Sequence, residues 1–162
     1  MQNYRPNVGI VVFNKNKEIL LCARKGSGGS VGSWQFPQGG IETNEEVVQA
    51  GLRELEEETS IKSVRFVAQI RNVLRYKFPK DVILKNKENN HENYIGQEQH
   101  WILVYFFGND TEINLKTKDA EFSRYKWTNF SEAVEKVWIM KKRVYKKVKE
   151  SFEPLVEEFR SL

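Results

Sequence analysis

The chain has 162 residues, of which 40% are hydrophobic and 30% charged, with a formal net charge of +4; this is the profile of a soluble globular chain, long enough for one good core and short for two domains. A single cysteine, Cys22, excludes an intrachain disulfide, and with only two histidines it excludes a zinc-finger ligand set. The longest apolar run, 101–107, is too short for a membrane-spanning helix, and the N-terminus lacks the apolar segment of a secretion signal, so a cytoplasmic location without membrane attachment is expected.

Residues 8–13 form a β-rich apolar run that predicts a buried strand. Residues 14–17 read as a turn and 19–24 as the returning strand of a hairpin, with Cys22 as core filler. The segment 25–32 is rich in Gly and Ser and reads as a flexible loop. It fits neither G-x-x-x-x-G-K-[ST] nor G-x-G-x-x-G, so it is taken as a mobile loop beside a site rather than a phosphate cradle. Residues 33–36 predict a short strand and 37–40 a sharp turn. Thr43 or Asn44 is the expected N-cap of a helix running to about Thr59, with Glu45 and Glu46 in the first turn where the helix dipole favours acids. Strands are expected at 64–75 and 99–107, with the polar, Asn-rich stretch 80–94 as a long loop between them. Short strands are expected at 112–115 and 124–128. A helical region begins at Phe130 or Ser131, and Val137, Met140, Val144, Val148 and Phe152 trace its apolar stripe. Pro154 is expected to end that helix and to open a short last one. No internal repeat or linker interrupts the chain, so a single domain over 1–162 is expected.

Charge is unevenly placed. Residues 136–149 hold seven basic residues and no acid, whereas 39–61 hold seven acids and one arginine. An acidic pocket on a basic body suits a site that holds metal cations and recruits a polyanion. Within the helix, Glu54, Glu57 and Glu58 stand at i, i+3 and i+4 and share one face. Val48, Leu52 and Leu55 have the spacing of a buried stripe beside it, and Glu56 falls on the far side as a bystander. Like charges at i,i+4 cost roughly 0.2–0.5 kcal/mol per pair, so Glu54 and Glu58 call for a compensating cation. Hard divalent ions take several oxygen ligands, largely carboxylates. Ions held this way can clamp a pyrophosphate, neutralise developing charge and activate water.

Gly39, Glu45, Arg53, Glu54, Leu55, Glu57, Glu58 and Ile61, at their spacing, resemble the Nudix box, the glycine loop and catalytic helix of Nudix hydrolases; eight of its nine defined positions match. The departure is Ser60, where the family has Gly at the helix exit in a left-handed conformation. A non-Gly residue there costs on the order of 1 kcal/mol. Residues 4–9, 33–40, 74–77 and 95–97 resemble the bacterial RNA pyrophosphohydrolase branch, whose members are also described as dinucleoside polyphosphate hydrolases. The loops 26–32 and 80–93 fit that pattern least well.

The resemblance implies an α/β (α+β) fold, a Nudix α/β/α sandwich with a mixed β-sheet between helices. The box spans 39–61 and a basic C-terminal helical region spans 131–162. It implies two or more Mg²⁺ or Mn²⁺ ions on Glu54, Glu57, Glu58 and Glu121, with Gly39 offering its backbone without a side chain in the way. Arg53 joins the catalytic set and pairs with Glu45 to brace the loop against the helix. One of Glu54, Glu57 and Glu58 would act as general base. Substrate-binding positions are Arg5, Lys25, Ser33, Gln38, Met140 and Lys141, with Arg5 and Lys141 as phosphate-contacting cations. Lys25 stands where the family commonly has Arg against the first base, and Met140 where an aromatic ring stacks on it. Met gives up ring stacking, worth about 1–3 kcal/mol per base, and Met140 also fits the apolar stripe. Lys142, Arg143, Lys146, Lys147 and Lys149 fit either an RNA-tracking face or a solvated one.

The implied reaction is metal-dependent hydrolysis of the 5′-triphosphate or diphosphate end of RNA to a 5′-monophosphate, which promotes mRNA decay. The alternatives are hydrolysis of a dinucleoside polyphosphate such as Ap4A, and a non-catalytic RNA- or nucleotide-binding module. A bacterial monomer without a stable protein partner is expected.

Overall fold

The computed structural model describes residues 3–88 and 93–161. In chain order the elements are β1 (Tyr4–Phe13), β2 (Ile19–Arg24), β3 (Trp34–Gln35), β4 (Gln38–Gly40), α1 (Val47–Thr59), β5 (Val64–Gln69) and β6 (Leu74–Lys77). They continue as α2 (Lys80–Glu88), β7 (Gly96–Phe106), β8 (Phe122–Thr128), α3 (Phe130–Lys136) and α4 (Lys142–Glu158), with 3-10 turns at Asp110–Glu112 and Ile139–Lys141.

The strands form one mixed sheet around β1 and β7, which run parallel from Tyr4↔Gly96 to Phe13↔Tyr105. β2 pairs antiparallel with β1, β3 and β8, and β4 pairs with β1. β5 and β6 both pair antiparallel with β7. Alternation along a strand sends successive side chains to opposite faces, and here both faces are buried. Val8, Ile10, Val12, Ile102 and Val104 join Ala50 and Leu55 of α1 in one core. Val11, Phe13, Trp101 and Leu103 join residues of α3 and α4 in the other. Because both faces are covered, β1 reads as an unbroken apolar run rather than an alternating one. The result is an α/β/α sandwich with α1 on one face and α3 and α4 on the other.

Several elements depart from the sequence expectations. α1 starts at Val47, later than a cap at Thr43 or Asn44 would place it; its N-cap is Glu46, with no side-chain cap bond. Asn44 has φ 64° and turns the chain, and Glu45 is drawn off to Arg53. The expected strand 64–75 is two strands along one edge of β7, with a register shift between Phe66 and Ala68. Most of the expected loop 80–94 is helix α2, whose Asp81 in the first turn and Lys85 and Lys87 in the last suit the dipole. No α2 residue is buried, so no apolar period announced it; residues 89–92 of that stretch lie outside the described ones. The expected strand 112–115 is instead the end of a 3-10 turn, followed by a segment whose Ile113 and Leu115 pack on the α1-side core. The single long helix expected after Phe130 is broken at Val137, which bridges to Gly32 and Ser33. α4 then runs through Pro154 rather than ending there. Pro154 is exposed while Phe152 and Val156 are buried on either side, so packing holds the helix across it and water can solvate the carbonyl it frees.

The buried stripe of α1 is also rotated from the one expected. Ala50, Gly51, Leu55, Glu58 and Thr59 are buried, whereas Leu52 is 37% exposed. A Cβ at Gly51 would come within 2.5 Å of Ile102 Cδ1. The helix therefore presses on β7 along its smallest residue, and Glu58 is turned inward with that line.

Candidate active site

α1 and the segment leading into β8 enclose a cavity of about 700 Å³. Arg53, Glu54, Glu57, Glu58 and Glu121 line it, together with residues 117–119. Glu56, expected on the far side of the helix, also reaches its rim, where it pairs with Lys62 at 3.5 Å. Lys25 N donates to the Glu121 carbonyl at 2.7 Å, which ties the end of β2 to the segment carrying that acid.

Arg53 is the hub of the loop. Its Nε and Nη2 donate to the two Glu45 oxygens at 2.7 and 2.9 Å, and Nη2 also donates to the Gly40 carbonyl at 2.9 Å. Its Nη1 reaches Glu54 at 2.9 Å and Glu57 at 3.2 Å. The hydrogen bonds from Arg53 and from the Glu42 backbone hold the Glu45 carboxyl down at about 2. Arg53 is raised above its ordinary value, first by its bond to Glu45. Gly39 lies directly against Glu54: an added Cβ would fall 2.0 Å from the Glu54 carboxyl carbon, so only glycine permits this approach.

Glu58 is 5% exposed, and neither of its carboxyl oxygens has a hydrogen bond of good geometry among the described residues. Burial first, then the charge of Glu121 and contact with its carboxyl, push Glu58 up to about 10. Glu54 is raised too, by burial, against the opposing pull of Arg53. Burial and then the nearby Glu58 also push the Cys22 thiol well up, which fits a core residue rather than a nucleophile. The Gln38 backbone opposes the Glu58 shift only weakly; a buried carboxylate so poorly supplied with donors keeps its charge only beside a cation, and an all-oxygen set of this kind suits a hard divalent ion. Among the described residues no three His, Cys, Asp or Glu already converge on one ion position. Glu54 and Glu57 turn to Arg53 and Glu58 to Glu121.

Beside the cavity runs a second polar chain. Gln38 Oε1 accepts from Gln99 Nε2 at 2.9 Å and from Lys141 Nζ at 3.1 Å. Gln99 Nε2 also donates to Asn7 Oδ1 at 2.9 Å. Lys141 is buried, and burial, then the charge of Arg24, push it down to about 8 while Glu58 opposes the shift. Its ammonium sits 5.6 Å from the Tyr76 ring centre.

The remaining candidates are spread. Arg5 reaches toward Gly40, where an added Cβ would be 3.1 Å from its Nη2. Met140 is half-buried, packing on the α4-side core and lining a separate small cavity with Tyr4 and Tyr76. Ser33 is buried, and its hydroxyl donates to the Ser30 carbonyl, closing the glycine loop rather than facing the acidic cavity. Tyr76 and Gln99 were not singled out by sequence reasoning. Gln99 did carry a signal, a polar residue leading into an otherwise apolar strand.

The NUDIX domain family model matches residues 3–148. An RNA pyrophosphohydrolase of Pelagibacter ubique is 39% identical over 155 residues, covering 94% of this chain and 93% of the relative. Another, of Klebsiella pneumoniae, is 41% identical over 152 residues, covering 92% and 82%. Among solved structures, a C. elegans Ap4A hydrolase binary complex aligns with TM-score 0.63 at 17% identity, covering 93% of this chain and 98% of that one. The E. coli dihydroneopterin triphosphate pyrophosphohydrolase aligns with TM-score 0.66 at 15% identity, covering 90% and 97%. These two likenesses concern the fold.

A mixed sheet between helices, with a glycine loop and an acidic helix at one end, is the architecture of a Nudix hydrolase. The chain belongs to the NUDIX domain family, whose members generally use divalent metal ions. Among the described residues no helix is long and apolar enough to cross a membrane.

Proposed function

We propose that the protein is a Nudix pyrophosphohydrolase that acts on the 5′-triphosphate or diphosphate end of RNA and leaves a 5′-monophosphate, so promoting RNA decay. The observation that carries this is the buried Glu58 carboxyl, which lacks a hydrogen bond of good geometry among the described residues and lies against Glu121 in one cavity with Glu54 and Glu57. The RNA assignment is supported by relatives of that name near 40% identity over most of the chain.

In this reading Glu54, Glu57, Glu58 and Glu121, with the Gly39 backbone, hold two or more Mg²⁺ or Mn²⁺ ions, which supply charge neutralisation at the phosphates and activation of water. One of Glu54, Glu57 and Glu58 accepts the proton as the water oxygen bonds to phosphorus and the phosphoanhydride bond breaks. Arg53 keeps the helix and glycine loop in fixed relation through Glu45 and Gly40. Arg5 and Lys141 attract the phosphates, and Lys25 and Met140 face the first base. Gln38 orients Lys141. The two cores share one sheet, which supports treating the whole chain as one catalytic domain. It works as a monomer in the cytoplasm.

A competition assay tests the substrate: triphosphorylated RNA against Ap4A at equal concentration with Mg²⁺. Preferential release from RNA, abolished by a chelator, is expected. Preference for Ap4A overturns the RNA assignment. Binding without turnover on either substrate makes the protein a binding module, and hydrolysis that survives the chelator overturns the metal assignment.

A further inference from the structure

Away from the acidic cavity, β6 and the first half of α4 enclose a groove of about 560 Å³, lined by Asn72, Leu74, Arg75, Arg143 and Lys147. It adjoins a smaller cavity of about 360 Å³ lined by Tyr4, Tyr76, Lys77 and Met140; Arg75 and Arg143 line both. Among the described residues neither has an acid in its wall. Arg75 is held in place: its Nη2 donates to Glu98 at 3.0 Å, and its guanidinium lies over the Tyr4 ring, 5.0 Å from the centroid.

Arg143 and Lys147 are exposed and stand one turn apart on α4. Like charges at i,i+4 repel, and among the described residues neither has an acidic partner. Lys142 and Lys146 beside them also lack an acidic partner among the described residues but line neither cavity, whereas Lys149 pairs with Glu153 at 2.9 Å and Lys136 with Glu132 at 3.7 Å. Two unpaired cations thus face a fixed arginine across a groove, an arrangement relieved by a polyanion. The groove also leads from the reaction site. Gln38, next to Gly39, accepts from Lys141; Lys141 faces the Tyr76 ring; and Tyr76 walls the smaller cavity.

We infer that this groove carries the sugar–phosphate backbone of single-stranded RNA beyond its first nucleotide, with Arg75, Arg143 and Lys147 against successive phosphates. Four residues of helix separate Arg143 from Lys147 by about 6 Å along the axis, a step that suits neighbouring phosphates. Tyr4, Tyr76 and Met140 at the near end give bases a surface to pack on, which an acidic peptide would not use. The inference rests on the RNA reading above and extends it: longer 5′ ends bind better than dinucleotides, and Ap4A, having no backbone to extend, gains nothing.

The test is equilibrium anisotropy with 3′-fluorescein RNAs of two and eight nucleotides bearing a 5′-monophosphate. It needs no hydrolysis. The wild-type protein is expected to bind the octamer more tightly than the dimer. Arg143→Gln/Lys147→Gln is expected to lose most of that gain and to show a shallower log–log salt slope, by about 1.4 for two phosphate contacts. Between 50 and 200 mM salt, that difference amounts to about sevenfold in affinity. Lys15→Gln/Lys116→Gln makes the same charge change at exposed positions off the groove and should retain the gain. All four side chains are exposed, so unchanged melting temperatures are expected and are measured alongside. Equal wild-type affinity for dimer and octamer overturns the proposal, as does an equal loss in both double variants or an octaglutamate peptide that binds as tightly as the RNA octamer. If the competition assay favours Ap4A while the octamer gain persists and depends on Arg143 and Lys147, the substrate assignment falls and the groove stands.

Discussion

Ser60 stands where the family motif has glycine, and it adopts the backbone a glycine would, with φ 67° and ψ 7°. Its N–H donates to the Glu56 carbonyl at 2.8 Å and closes the helix, and its hydroxyl donates to the Asn114 carbonyl at 2.9 Å. The left-handed conformation costs on the order of 1 kcal/mol, and the side-chain bond offsets much of it. Ser60→Ala keeps the backbone cost and loses the bond, so it should destabilise by about 0.5–1.5 kcal/mol in urea unfolding. Ser60→Gly relieves the backbone but frees the unfolded chain, and should stay within roughly 1 kcal/mol of wild type. The motif flagged this position in the sequence; the compensating carbonyl, 54 residues further along, was invisible there.

At the scale of the element, α1 and its glycine loop are locked by Arg53 between Glu45 and Gly40. This lock gives a pH signature. The Glu45 carboxyl is lowered from its ordinary 4.5 to about 2, first by the hydrogen bond from Arg53. Above pH 4.5 it is ionised in both folded and unfolded chains, and the stabilisation is fully present. Between 4.5 and 2 the unfolded chain takes up the proton first, so stability falls as pH falls. Unfolding midpoints of wild type and Glu45→Gln across that window should therefore converge toward pH 2. A constant difference would remove Glu45 from the lock. The existence and end of this helix were legible from its motif and period. Its start was not, because an acid close to the N-terminus reads as a first-turn residue whether it stays on the helix or turns back to an arginine two turns on.

For the whole molecule, the decisive feature is that two acids from distant parts of the chain, buried Glu58 and exposed Glu121, meet in one cavity. Mg²⁺ should raise the melting temperature of the wild-type protein. Saturation at about 100 times Kd contributes about 2.7 kcal/mol, or several degrees for a chain of this size. Glu58→Gln should fold normally without Mg²⁺ and lose both that thermal response and turnover; a normal response in the variant would remove Glu58 from the ligand set. The β1–β2 hairpin, the acidic helix and the family were all written in local order, since apolar runs, glycines and fixed spacings act over a few residues. Periodicity of apolar residues placed Leu52 in the core, but close packing chose Gly51 instead, because only a residue without a side chain lets the helix press against Ile102. That choice turned Glu58 inward, and β2–β8 pairing, with Lys25 bonded to Glu121, carried the second acid to it. The sequence by itself picked out the four acids, Glu54, Glu57, Glu58 and Glu121, that the fold gathers around one cavity. The burial of Glu58, and with it the need for a compensating cation, was decided only by the tertiary structure, because desolvation depends on neighbours that no local pattern specifies.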